Sequence, residues 1–250
     1  MIVDGHVRLG TGREVALALD DLLASLDRFG IDGALVAPAE GFIAVSNRAG
    51  NEFVAKAARH SGGRLGWYAV ANPWYGPAAL EELHRAAETG ACALALDPAL
   101  QGFDLLDGLA DPLIEFASRA HWPVYCRTGT PAHGLPLQLA ELAVRFPETN
   151  FIMGRNGATD FWLDALPALH RASNLHADTA YAFADLQLDA LVADERVGSQ
   201  RIVFTSDTPY ADPGLELETL RDVQATEDEM RRILGGNLLS LVDWAPGRTP

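Results

Sequence analysis

The strand-like segment IVDGHVRL (2–9) places His6 and Arg8 two residues apart. In a β-strand, positions i and i+2 face the same way. Two histidines at that spacing would make half of a metal site. A guanidinium cannot, because it has no free lone pair and stays charged at any ordinary pH. Two more arginines close strand-like segments, Arg127 in PVYCRTG (123–129) and Arg155 in FIMGRNG (151–157). By the same period, Arg127 shares a face with Tyr125, Arg155 with Met153, and Asp207 of RIVFTSD (201–207) with Thr205. Guanidinium groups bind carboxylate or phosphate bidentately, in charge-assisted bonds worth about 1.5–3 kcal/mol each. The chemistry expected of these residues is therefore the binding of a small anion. Asp97, His176, Asp178 and Asp207 end, or nearly end, other strand-like segments.

Eight such segments alternate with helical ones. The other strands are GALVAP (33–38), LGWYAVA (65–71), CALALD (92–97) and NLHADT (174–179). Helical spacing of apolar residues marks 15–30, 47–60, 77–90, 111–121, 135–146, 161–172 and 183–195. Gly30 and Gly90 suit left-handed helix ends, and Thr226 with Glu229 reads as a capping box. Eight β-then-α units in 250 residues predict an α/β chain folded as one (β/α)8 TIM barrel over 1–250. A doubly wound open sheet is the weaker choice, since no glycine-rich phosphate loop follows the first strand. In a barrel, the strand ends gather the arginines at one mouth.

Composition narrows the partners. There are 34 acidic against 19 basic residues, a formal charge of −15, and Lys56 is the single lysine. Such a chain is not expected to bind nucleic acid or an anionic membrane, which need a basic face. Its arginine, alanine and glycine content suggests a GC-rich bacterial source. Cys92 and Cys126 form no spaced pair, which gives neither a disulfide framework nor a cysteine metal site. Cys126 alternates with Arg127 and should face the helices. No secretory pattern opens the sequence and no apolar run spans a membrane, so a cytoplasmic protein is expected.

The order and spacing of several segments resemble the amidohydrolase-related metal-dependent hydrolases, a branch of the amidohydrolase superfamily. They are DGHVRLG, FGIDGALVAP, GWYAVANP, PVYCRTGT, FPETNFIMGRNG, NLHADT, RIVFTSDTPYAD and ILGGNLLSLV. The resemblance implies a TIM barrel with one or two divalent metals. The implied ligands are a His-x-His on strand one, single histidines on strands five and six, and an aspartate on strand eight. His6 and Asp207 match two of these positions. Arg8, Arg127 and Arg155 stand at the other three, and Ala95 stands where many relatives carry a lysine. A catalytic zinc needs about three lone-pair donors, and two donors beside three cations do not supply them.

The sequence therefore predicts a metal-independent hydrolase or lyase with no cofactor, acting on a small anionic molecule. His6 is the expected general base or acid and Asp207 its orienting partner. Arg8, Arg127, Arg155 and His176 are the expected substrate-binding residues. The alternative is an inactive barrel serving as a binding or scaffold partner, and a conventional metallohydrolase ranks last. Relatives are often dimers, so a homodimer is an open possibility. His133 and the helical histidines 60, 84, 121 and 170 read as solvent-facing, and the five tryptophans as packing residues.

Overall fold

The structure, a computed structural model, describes residues 1–158 and 160–247, the side chains of 184 and 185 excepted. Its sheet has nine strands: β1 (Val3–Thr11), β2 (Ala16–Leu17), β3 (Gly33–Pro38), β4 (Leu65–Val70), β5 (Ala93–Leu96), β6 (Val124–Arg127), β7 (Phe151–Gly154), β8 (Leu175–Asp178) and β9 (Ile202–Val203). The order is β2-β1-β3-β4-β5-β6-β7-β8-β9. Every neighbouring pair from β1 through β9 is parallel except the short β1–β2 hairpin. Removing that hairpin leaves the eight parallel strands of a TIM barrel, with helices in the connections.

The last strand returns to the first. Gly5 N–H donates to the Phe204 carbonyl at 2.8 Å and Arg8 N–H to the Thr208 carbonyl at 2.8 Å. Gly5 permits this approach, since a Cβ there would sit 2.9–3.0 Å from Val203, Thr205 and the Phe204 carbonyl. Asp4 reinforces the seam by accepting from Ser206 N at 2.9 Å and Ser206 Oγ at 2.5 Å.

Alternation along the strands divides the apolar residues into two layers. Val3, Leu35, Tyr68, Val70, Ala95, Tyr125, Ile152 and Val203 cluster inside the barrel. Val7, Leu9, Val36, Leu94, Cys126, Met153 and Ala177 face outward onto the helices. Cys126 lies in that outer layer, where burial pushes its thiol well above the ordinary value. Helix Asn47–His60 keeps the bounds read from the sequence, and helix Pro77–Glu88 stops two residues short. Gly30 and Gly90 are left-handed, and the Thr226–Glu229 capping box forms.

Several strands end sooner than the sequence suggests. Segment 201–207 contributes only Ile202–Val203 to the ladder, because Thr205 and Ser206 bond instead to Asp178, Thr179 and Asp4. Segment 151–157 stops at Gly154, where the backbone turns left-handed. The β2 hairpin and the helices Glu40–Ala44, Pro98–Gln101 and Pro213–Arg221 were not expected. Among the described residues, no helix is long and apolar enough to cross a membrane.

Candidate active site

The C-terminal strand ends bring the predicted residues together. Arg8, from β1, lies 3% exposed with Nη2 2.6 Å from Asp97 Oδ2, just past β5. Arg127, ending β6, reaches the same oxygen with Nη1 at 3.2 Å. Burial opposes ionisation of Asp97, but Arg8 and then Arg127 outweigh it and hold the carboxyl below its ordinary value. Nε and Nη1 of Arg8 and Nε of Arg127 are buried without a hydrogen-bond partner.

Arg155 reaches the mouth by a different route. Met153 faces the helix layer, so a continued strand would send Arg155 outward with it. The expectation that Arg155 shares a face with Met153 along an unbroken strand does not hold. Arg155 and Asn156 instead adopt φ of 62° and 48°, a left-handed turn that swings the guanidinium back over the barrel. Its Nε lies 2.7 Å and its Nη2 2.5 Å from Asp207 Oδ2. Its backbone N–H donates to Asp178 Oδ2 at 2.9 Å. Asp207 also has a left-handed backbone, with φ of 53°.

His6 lies beneath the arginines, 1% exposed. Its ring stacks on Tyr125 at 3.9 Å, with planes 2° apart. Gly154 makes room for this stack, because a Cβ there would fall 2.2 Å from the Tyr125 ring. Nδ1 of His6 faces Asp207 Oδ1 at 3.3 Å, at an angle too bent for a well-formed hydrogen bond but close enough for its N–H dipole to meet the carboxylate. Burial lowers the His6 pKa, Asp207 resists, and Arg8 and Arg155 lower it further. Asp207 moves the other way, to about 2: burial resists ionisation, but His6, Arg155 and Arg8 prevail. The pair is thus a neutral imidazole beside a carboxylate, which suits a proton acceptor held by an anion.

Asp178 is fully buried, and burial raises its pKa well above the carboxylate range. Oδ2 accepts from Thr205 Oγ1 at 2.9 Å as well as from Arg155 N, while Oδ1 has no partner. Burial thus favours the protonated form of Asp178, against the pull of its two donors.

His176 does not join this group. It points into the barrel two residues below Asp178, with Nδ1 3.3 Å from the Phe151 carbonyl. Burial, then the charge of Arg201, lowers its pKa to about 4. The structure thus places His176 one inward step before Asp178 and against the Phe151 carbonyl, apart from the arginines with which it was expected to bind substrate. His133 is exposed, as expected.

Loop residues missed in the sequence complete the mouth. The Tyr210 ring lies 5.7 Å from the Arg8 guanidinium and 5.3 Å from that of Arg155, and Tyr181 lies 4.8 Å from Arg155. The Tyr210 hydroxyl donates to Glu40. Glu216 is buried, and burial lifts its pKa to about 7. Pro213, Glu216 and Leu220 are the buried residues of their helix, so Glu216 occupies an apolar stripe at 3–4 spacing. That spacing was a signal available in the sequence.

The residues at the family's metal positions do not fit a catalytic zinc. Asp207 turns one oxygen to His6 and the other to Arg155, and three guanidinium groups stand nearby. Among the described residues, no group of three or more His, Cys, Asp or Glu side chains is arranged to hold a metal ion.

A 5-carboxyvanillate decarboxylase from Novosphingobium aromaticivorans, solved with manganese and 4-hydroxy-3-methoxy-5-nitrobenzoic acid, superposes with a TM-score of 0.79 at 16% identity, covering 96% of this chain and 95% of that one. An uncharacterised TIM-barrel protein from Bordetella bronchiseptica gives 0.76 at 16% identity, over 96% and 97%. The 4-oxalomesaconate hydratase of Rhodopseudomonas palustris gives 0.71 at 18%, over 96% and 95%. These likenesses show the barrel fold. A search of curated proteins found no match. The model of the amidohydrolase family matches residues 5–240, nearly the whole chain. With the barrel and its sequence order in agreement, the chain belongs to the amidohydrolase family.

Proposed function

We propose that the protein is a metal-independent hydrolase or lyase of the amidohydrolase type, acting on a small carboxylate- or phosphate-bearing molecule held at the arginine cluster. The observation that carries this reading is the set of buried, unpartnered donors on Arg8 and Arg127. A buried cation with open hydrogen-bonding capacity is costly, and an anionic ligand supplies the missing partner. The name of the 5-carboxyvanillate decarboxylase, a similar barrel, also specifies a carboxylate substrate. Arg8 and Arg127 stabilise an oxyanion or enolate, while Arg155 is paired with Asp207. His6 moves the proton and Asp207 orients its ring. Ester or lactone hydrolysis, decarboxylation and elimination all use these parts.

Arg127→Ala should weaken binding of malonate or inorganic phosphate at least tenfold, and unchanged affinity would contradict the reading. Metal analysis of the purified protein should find less than stoichiometric zinc. A full equivalent would overturn the metal-independent part. The burial of His6 favours a second reading, an inactive barrel that binds an anion or a partner. Binding of small acids without turnover across a broad panel would select it.

A further inference from the structure

The three arginines are engaged in different ways. Arg155 directs Nε and Nη2 at one oxygen of Asp207, at 2.7 and 2.5 Å, between the rings of Tyr181 and Tyr210. Both members of this pair hold left-handed backbones, a costly state for residues other than glycine and one that persists where surrounding contacts impose it. Arg8 and Arg127 instead share a single oxygen of Asp97, at 2.6 and 3.2 Å. Asp97 is itself fixed. Its Oδ1 accepts from Leu100 N at 3.2 Å, its N–H donates to Gln101 Oε1 at 2.9 Å, and Gln101 Nε2 donates to the Ala71 carbonyl at 2.8 Å. One carboxylate between two guanidiniums leaves a net positive charge. It also leaves Nε and Nη1 of Arg8 and Nε of Arg127 with nothing to meet.

We propose that Arg8 and Arg127, held side by side by Asp97 as a positioning residue, form a two-guanidinium seat for one carboxylate or phosphate group, while Arg155 is a positioning residue that fixes Asp207 and does not touch the anion. This rests on the proposed function and assigns its anion to one half of the mouth.

Isothermal titration with inorganic phosphate and with malonate tests it on wild type, Arg127→Gln, Arg155→Gln and Asp97→Asn. Arg127→Gln should bind at least tenfold more weakly, and Arg155→Gln within about threefold of wild type. Asp97→Asn should bind more weakly, although removing a negative charge beside an anion would by itself tighten binding. In the wild-type protein, the arginine Nε–H resonances of Arg8 and Arg127 should shift on adding phosphate, while that of Arg155, already bonded to Asp207, should stay. No binding to wild type would remove both the anionic substrate and the seat. Equal weakening by Arg155→Gln and Arg127→Gln, or tighter binding by Asp97→Asn, would overturn the division and leave the proposed function standing. If Asp97→Asn fails to fold, the two arginine variants and the wild-type resonances decide.

Discussion

On the β1, β5 and β6 side of the mouth, one carboxylate, Asp97, serves two guanidinium groups. On the β7 and β9 side, Asp207 is served by one guanidinium and one imidazole. The first half carries surplus positive charge and open donors. The second is balanced, because burial keeps His6 neutral and leaves one cation against one anion. Similar residues at successive strand ends thus yield one half with surplus positive charge and one half whose charges balance. What separates them is the number of guanidiniums each carboxylate must neutralise.

The largest expected effect comes from removing the shared counter-charge. Asp97→Leu strands two cations, one of them deeply buried, and should destabilise the protein by about 3–5 kcal/mol in urea unfolding. A loss near zero would mean that the first half is not held by Asp97. Acid titration comes next. Asp207 is held near 2 against an ordinary 3.8, so its stabilisation is complete above pH 3.8 and is lost as pH falls toward 2. That lowering corresponds to about 2 kcal/mol. Asp4, raised to about 6 chiefly by burial, has the opposite sign: its contribution declines as pH rises from 3.8 to 6. Urea midpoints across pH should show both slopes, and Asp4→Asn should flatten the second.

Gly154→Ala sharpens the comparison from beneath the balanced half. Its methyl group would meet the Tyr125 ring, costing about 1–3 kcal/mol through overpacking. The change should disturb the His6–Tyr125 stack, visible in near-ultraviolet circular dichroism, with little effect on anion affinity. Thr226→Ala removes a helix cap far from the mouth and should cost about 1 kcal/mol. Its phosphate affinity should match wild type, which makes it the control for general destabilisation.

The barrel was legible because eight short, largely apolar strand-like segments recur and helical stripes separate them. Strand-end position then placed Arg8, Asp97 and Arg127 at the mouth, while Asp207 comes from beyond the end of β9 on a left-handed backbone. Arg155 arrives there through a left-handed turn that strict alternation does not contain. His176 has the correct face but the wrong depth, since period specifies a side of the sheet and not a level in the barrel. Tyr181 and Tyr210 come from loops, where no periodicity constrains direction. The early ends of β7 and β9 follow from side chains at the seam competing for backbone partners, which local sequence does not encode.

The most direct test is phosphate titration of protein exhaustively treated with a chelator, with Arg127→Ala alongside. Wild-type binding is expected to persist without metal and to fall at least tenfold in the variant. Binding that returns only when zinc is restored, or that is indifferent to Arg127, would contradict the assignment of the anion to the guanidinium groups.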